Sequence, residues 1–240
     1  LKQLFVLLII ISLFGCGGKS VKNTPSNQPQ DTIEVSTLDD SLRNENQLNS
    51  PAMIDTTCTI KFDEFQVTFN RLVLYESDVQ NEVFHTDTDT LTIYPDYGEM
   101  IEGQLIYFEK NLLENIQLEQ RYETSLTINN EGPHCDLVNW EHHTSEWKVL
   151  KPNKSGVFKF LKYSDAESRK FPEVSISELK NAVKNECGAE WVELINEIKT
   201  IKDSPCFISI NRYYLKISGI HKRSKKKISK VLVFEIPMGC

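Results

Sequence analysis

From Ile116 to Ile128 the chain alternates. Ile116, Leu118, Tyr122, Thr124, Leu126 and Ile128 share one parity, and Gln117, Glu119, Arg121, Glu123, Ser125 and Thr127 share the other. Successive strand side chains point to opposite faces. A helix would repeat its apolar positions at three or four instead. The run therefore predicts a long antiparallel strand, with one face on a core and the other in water. Asn129-Asn130-Glu131-Gly132-Pro133 closes it with turn residues.

Shorter runs extend the pattern. Phe65, Val67 and Phe69 alternate, and Leu72 to Tyr75 reads as a buried strand end. Leu91 with Ile93, Leu105 to Phe108, and Val157 to Leu161 are further strands. One helical signal interrupts them. Ser175 with Glu178 three residues later fits a capping box. Ile176, Leu179, Val183, Trp191, Leu194, Ile195, Ile198 and Ile201 then recur at helical spacing, with Gly188 as a break or kink. Phe207 to Ile220 and Ile228 to Ile236 flank a basic tip as a hairpin. The fold class is α+β: an antiparallel β-rich domain with one helical segment, about 175–201, inserted before the last hairpin.

The beginning of the chain differs from the rest. Lys2 precedes the apolar run Leu4 to Ile11, followed by Leu13-Phe14-Gly15-Cys16. The run is shorter than the roughly 20 residues a spanning helix needs. A basic start, an apolar core and a small residue before the cysteine form a secretory signal. This stretch resembles the lipobox of bacterial lipoproteins, although Phe14 departs from its usual small or β-branched residue. The resemblance covers only the signal segment. It implies acylation of Cys16 and a membrane partner held through it. Gly17 in place of the Asp common in retained lipoproteins implies an outer-membrane, periplasm-facing location. Residues 1–15 are then the signal and 16–51 the lipidated cysteine with a polar linker. Residues 52–240 form a single globular domain. The linker, rich in Asn, Ser, Gln and Pro, cannot bury enough apolar surface to offset its ordering entropy.

A net charge of −7 argues against a nucleic-acid partner. Beyond Cys16 the cysteines are Cys58, Cys135, Cys187, Cys206 and Cys240, an odd number suited to an oxidising compartment. Expected bridges are Cys187 with Cys206, a helix end to the next strand start, and Cys58 with Cys240, first strand to last. Cys135 would be free.

The densest polar stretch, His134 to His143, holds three of the five histidines. His134, Asp136, His142 and His143 are candidate metal ligands, zinc being the ion that imidazole and carboxylate suit. On a strand His134 and Asp136 would share a face, although no established zinc motif has this spacing. Trp140 and Trp147 are expected to pack inward. Lys222, Arg223, Lys225, Lys226 and Lys227 form a basic contact patch. Glu119, Arg121 and Glu123 offer a second partner surface. No nucleophile elbow, P-loop or dinucleotide fingerprint occurs. The expected function is a tethered envelope lipoprotein whose non-enzymatic domain, without a cofactor, binds a protein or glycan. The alternative is a metal-binding protein or metal-dependent hydrolase using residues 134–143.

Overall fold

A computed structural model describes residues 57–75, 77, 81–109 and 112–237. The signal segment, Cys16, the linker and Cys240 lie outside these residues. The body is α+β and strand-dominated, as its periodicity predicts.

Among the described residues the strands form two sheets. The first holds β1 (Thr57–Lys61), β2 (Gln66–Asn70), β3 (Asn81–His85), β5 (Leu105–Glu109) and β10 (Phe158–Lys159), in the order β10-β5-β2-β1-β3. The second is built on β6 (Leu113–Asn129) and β11 (Cys206–His221). Its order is β4-β12-β11-β6-β7, with β4 at Thr90–Ile93, β12 at Lys227–Glu235 and β7 at His134–Asp136. Two short strands, β8 (His143–Thr144) and β9 (Lys148–Val149), continue down the same edge of β6. Pairing is antiparallel except at two edges, where β3 runs parallel to β1 and β4 parallel to β12. The expected antiparallel β-rich body thus carries a parallel strand at one edge of each sheet. Parallel neighbours need a crossover, and no local period announces one. Leu72 to Tyr75 forms no strand and makes one bridge, Leu74 to Pro95, although Leu72 and Leu74 are buried.

One face of β6 serves two cores. Leu118 and Tyr122 pack between the sheets, where Phe69, Phe160 and Phe234 meet edge-on and tilted. Leu126 and Ile128 pack instead on helices α2 (Ile176–Glu186) and α3 (Ala189–Leu194). On β11 the parity of the apolar residues changes midway. Cys206 and Ile208 face the helices, whereas Tyr213, Leu215 and Ile217 face the other sheet. A one-residue shift turns every later side chain to the opposite face. A β-bulge at Asn211 supplies that shift, because Ile210 pairs with Thr124 while Arg212 pairs with Glu123. A second irregularity sets Ser218–Ile220 against Gln117–Glu114, with Asn115 at φ 54°. It returns Leu113 to the core face.

The predicted capping box is present at Ser175 and Glu178, and a second, at Ser164 and Glu167, starts the short α1 (Asp165–Ser168). Gly188, at φ 107°, separates α2 from α3. Helix ends at Leu194 rather than near 201: Ile195, Ile198 and Ile201 still pack on the helical core, but from turns. Asp203 accepts the backbone N–H groups of Lys199 and Thr200 there. No helix among the described residues is long and apolar enough to cross a membrane.

Candidate functional site

Cys135 lies on β7, and Cys187 caps the C-terminus of α2. Their Cα atoms are 5.9 Å apart and they form a disulfide. The expected Cys187–Cys206 bridge is therefore incorrect, and Cys135 is not free. Register explains the choice. Cys135 and Cys206 both pair with Ile128, one from each side. Both face the helices, and α2 ends over β7. Cys206 remains a buried thiol whose pKa burial raises to about 11. Cys58 is also a buried thiol, raised by burial and then Glu82 to about 12. Its proposed partner Cys240 lies outside the described residues.

The disulfide joins the two walls of a polar groove of about 460 Å³. One wall is the turn after β7, with Asn139, Trp140 and Glu141. The other is α2, where Asn181 and Asn185 are exposed one turn apart. Trp140 leans on Phe171 at 6.2 Å between ring centroids, so its half-buried indole is fixed by the helical core. The cross-link is four residues before Asn139 and two after Asn185.

Beside this groove lies the other face of the second sheet. It is less wet than its sequence implies: Glu123, Ser125 and Thr127 are buried. Glu123 is the hub. It accepts from Tyr214 Oη at 2.6 Å and Thr144 Oγ1 at 3.1 Å. Arg212 Nη1 is 3.5 Å away and His142 Nε2 3.6 Å away. Burial and that carboxylate raise the Tyr214 hydroxyl to about 12, so it stays a donor at neutral pH. Arg212 also pairs with Glu235 at 3.0 Å and reaches Asn139 of the groove at 3.5 Å. Arg121 is held between the rings of Trp147 and Tyr214, 4.6 and 4.7 Å from their centroids. Trp147 thus packs outward over Arg121 and Lys216, not inward.

The four candidate metal ligands are not gathered. His134 Nδ1 approaches Asp136 Oδ2 at 2.9 Å, as their shared face predicts, though not with hydrogen-bond alignment. Asp136 also accepts from Thr127. His142 turns to Glu123, and His143 to the Tyr122 ring at 5.9 Å. His134 pairs with Asn129 of β6 and His143 with Thr124, five residues away, or roughly 17 Å along a strand. Burial, then Lys170, lowers the His143 pKa and favours neutral imidazole. No group of three or more His, Cys, Asp or Glu suited to a metal occurs among the described residues.

A second groove, of about 350 Å³, lies between the segment 99–102 and β11. It is lined by exposed Met100 and Phe207, with Tyr213 donating to Glu102 at 2.9 Å. The basic residues 222–227 are exposed at the β11–β12 turn. Sequence periodicity singled out Glu119, Arg121 and Glu123 but not Asn181 and Asn185. The only local sign of these two was their i, i+4 spacing on the polar side of α2. The chain matches no protein-family model and none of the curated proteins.

Proposed function

We propose that this chain is an outer-membrane, periplasm-facing lipoprotein whose β-rich body is a binding domain. Its ligand is a neutral polar chain such as an envelope glycan, held in the groove between Trp140 and α2. The observation that carries this is the Cys135–Cys187 bridge across the walls of that groove. A covalent link there preorganises the site, which lowers the ordering cost of binding. It also suits an oxidising compartment, as the signal segment implies.

The lining chemistry supports a sugar. Carboxamides offer both donors and acceptors to hydroxyl groups. An indole offers a flat apolar face to the C–H side of a ring. Glu141, Glu173, Glu178 and Glu186 make the groove unfavourable to anions. Glu178 is already committed to Ser175 and Asn139 is reached by Arg212, so Asn181 and Asn185 supply the carboxamide contacts on α2.

The test is a titration of the chain from residue 17 onward with neutral oligosaccharides, followed by calorimetry. Saturable binding is expected, weakened at least about tenfold by Trp140→Ala, a loss of about 1.4 kcal/mol. Asn181→Ala should also weaken it. The absence of binding, or binding indifferent to both variants, overturns the glycan assignment. Lipidation has its own test: Cys16→Ser should leave an uncleaved, unacylated precursor, and normal processing would refute it.

A further inference from the structure

Five of the six residues from Lys222 to Lys227 are basic, on a chain of net charge −7. All six are exposed. They do not form a loose loop. His221 donates its N–H to the Lys226 carbonyl at 2.9 Å, and Lys225 N–H returns to the His221 carbonyl at 2.9 Å. His221 Nδ1 accepts from Ser224 N–H at 3.0 Å, and Lys225 takes φ 57°. The turn therefore holds its cations on a fixed scaffold. Lys225 is partly neutralised, its Nζ lying 2.8 Å from Glu114. Beside the turn, Lys222 N–H bonds the Leu112 carbonyl at 2.8 Å, and Leu112 is 46% exposed. A large apolar side chain thus stands in the open next to a cationic cluster.

The position of this turn matters as much as its charge. It extends from the end of the long strand pair where His221 meets Leu113. The binding groove adjoins the other end, where Leu137 bonds Leu126. Thirteen residue steps along the strand separate Leu113 from Leu126, roughly 40 Å.

The geometry points to the 222–227 turn, with Leu112, as a docking surface for a bilayer leaflet carrying anionic phospholipid. It complements the lipid anchor, resting on the assignment of Cys16 as that anchor. Cations near an anionic surface each add a modest attraction that falls off within a Debye length. Tethering makes such a weak contact effective, because the second contact is then intramolecular. Docked by this turn, the domain stands with its groove facing away from the membrane, open to the periplasmic space.

The experiment uses the unacylated chain from residue 17 onward, so that no acyl chain contributes. All described elements belong to one compact unit, residues 49–240, which that chain retains whole. Cosedimentation is measured with vesicles of phosphatidylcholine alone and of phosphatidylcholine mixed with phosphatidylglycerol. Binding is expected to the mixed vesicles only, and to weaken steeply with added salt. Arg223→Gln, Lys226→Gln and Lys227→Gln combined should lower affinity on the order of 100-fold. These exposed positions should leave thermal stability unchanged. Leu112→Ser should lower affinity less and leave the salt dependence intact. Equal binding to both vesicles, binding to neither, or an unchanged triple variant each overturns the docking surface. Failure of the anchor would instead appear as normal processing of Cys16→Ser.

Discussion

Gln120 gives Leu161 both halves of a peptide group. Its Oε1 accepts the Leu161 N–H at 2.8 Å, and its Nε2 donates to the Leu161 carbonyl at 3.3 Å. Gln120 is fully buried on the apolar face of β6, between the two cores. Farther along that face, Tyr122 Oη donates to the Glu167 carbonyl at 2.8 Å and Thr124 Oγ1 to that of Lys170 at 2.6 Å. Three side chains thus fasten the segment 161–170 across the sheet. Buried backbone groups need partners, and here a strand's side chains provide them. Gln120→Leu would keep the bulk and leave the Leu161 N–H without its partner. A loss of about 1–3 kcal/mol is expected in urea unfolding. An unchanged midpoint would show that the segment has other support.

Reducing the Cys135–Cys187 bridge should destabilise the body. Its residues are 52 apart in sequence, and opening a loop of that length costs about 4 kcal/mol in the chain-entropy model. Thermal unfolding with and without dithiothreitol measures this directly. The wild type should shift downward, whereas Cys135→Ser/Cys187→Ser should start low and not respond. A reductant-sensitive double variant would mean that another bridge carries the effect.

Gly219→Ala should also be costly. A Cβ there would lie 3.1 Å from Leu113 Cβ and 3.2 Å from the Glu114 carbonyl oxygen. Neither neighbour is the end of a flexible side chain. Overpacking of this kind costs about 1–3 kcal/mol, read as a fall in denaturation midpoint. Neutral behaviour would mean that the irregular pairing opposite Asn115 gives way easily.

Acid should loosen the capped helices. Lys148, then the Ser164 N–H, hold the Glu167 carboxylate down to about 2 from its ordinary 4.5. The Ser175 N–H, then its hydroxyl, hold Glu178 below its usual range. A lowered carboxylate pKa stabilises the folded state above the unfolded value, and this is lost as pH falls through the folded one. For Glu167 the window runs from pH 4.5 down to about 2. Melting temperature measured across it should fall less steeply in Glu167→Gln than in the wild type. Parallel curves would assign the acid sensitivity to other groups.

Local chemistry determined what local geometry can determine. Alternation from Ile116 to Ile128 announced β6, because a strand sends neighbouring side chains to opposite faces. Ser175 and Glu178 announced the start of α2, because a capping box is completed within four residues. Gly188 marked the break, and the polar and apolar parities of β6 forecast its two faces. Tertiary structure decided the rest. Gln120 breaks the apolar pattern of β6 without breaking its strand, and its purpose appears only when Leu161 arrives from 41 residues away. The bulge at Asn211 is hidden within one continuous strand, because parity has meaning only relative to a partner. The partner of Cys187 depended on which side of Ile128 the end of α2 came to rest. The polar groove exists only because α2, packed on the face of the sheet, meets the turn after β7, which is distant in sequence. Each of these outcomes depends on long-range packing, which a residue's own backbone preference does not encode.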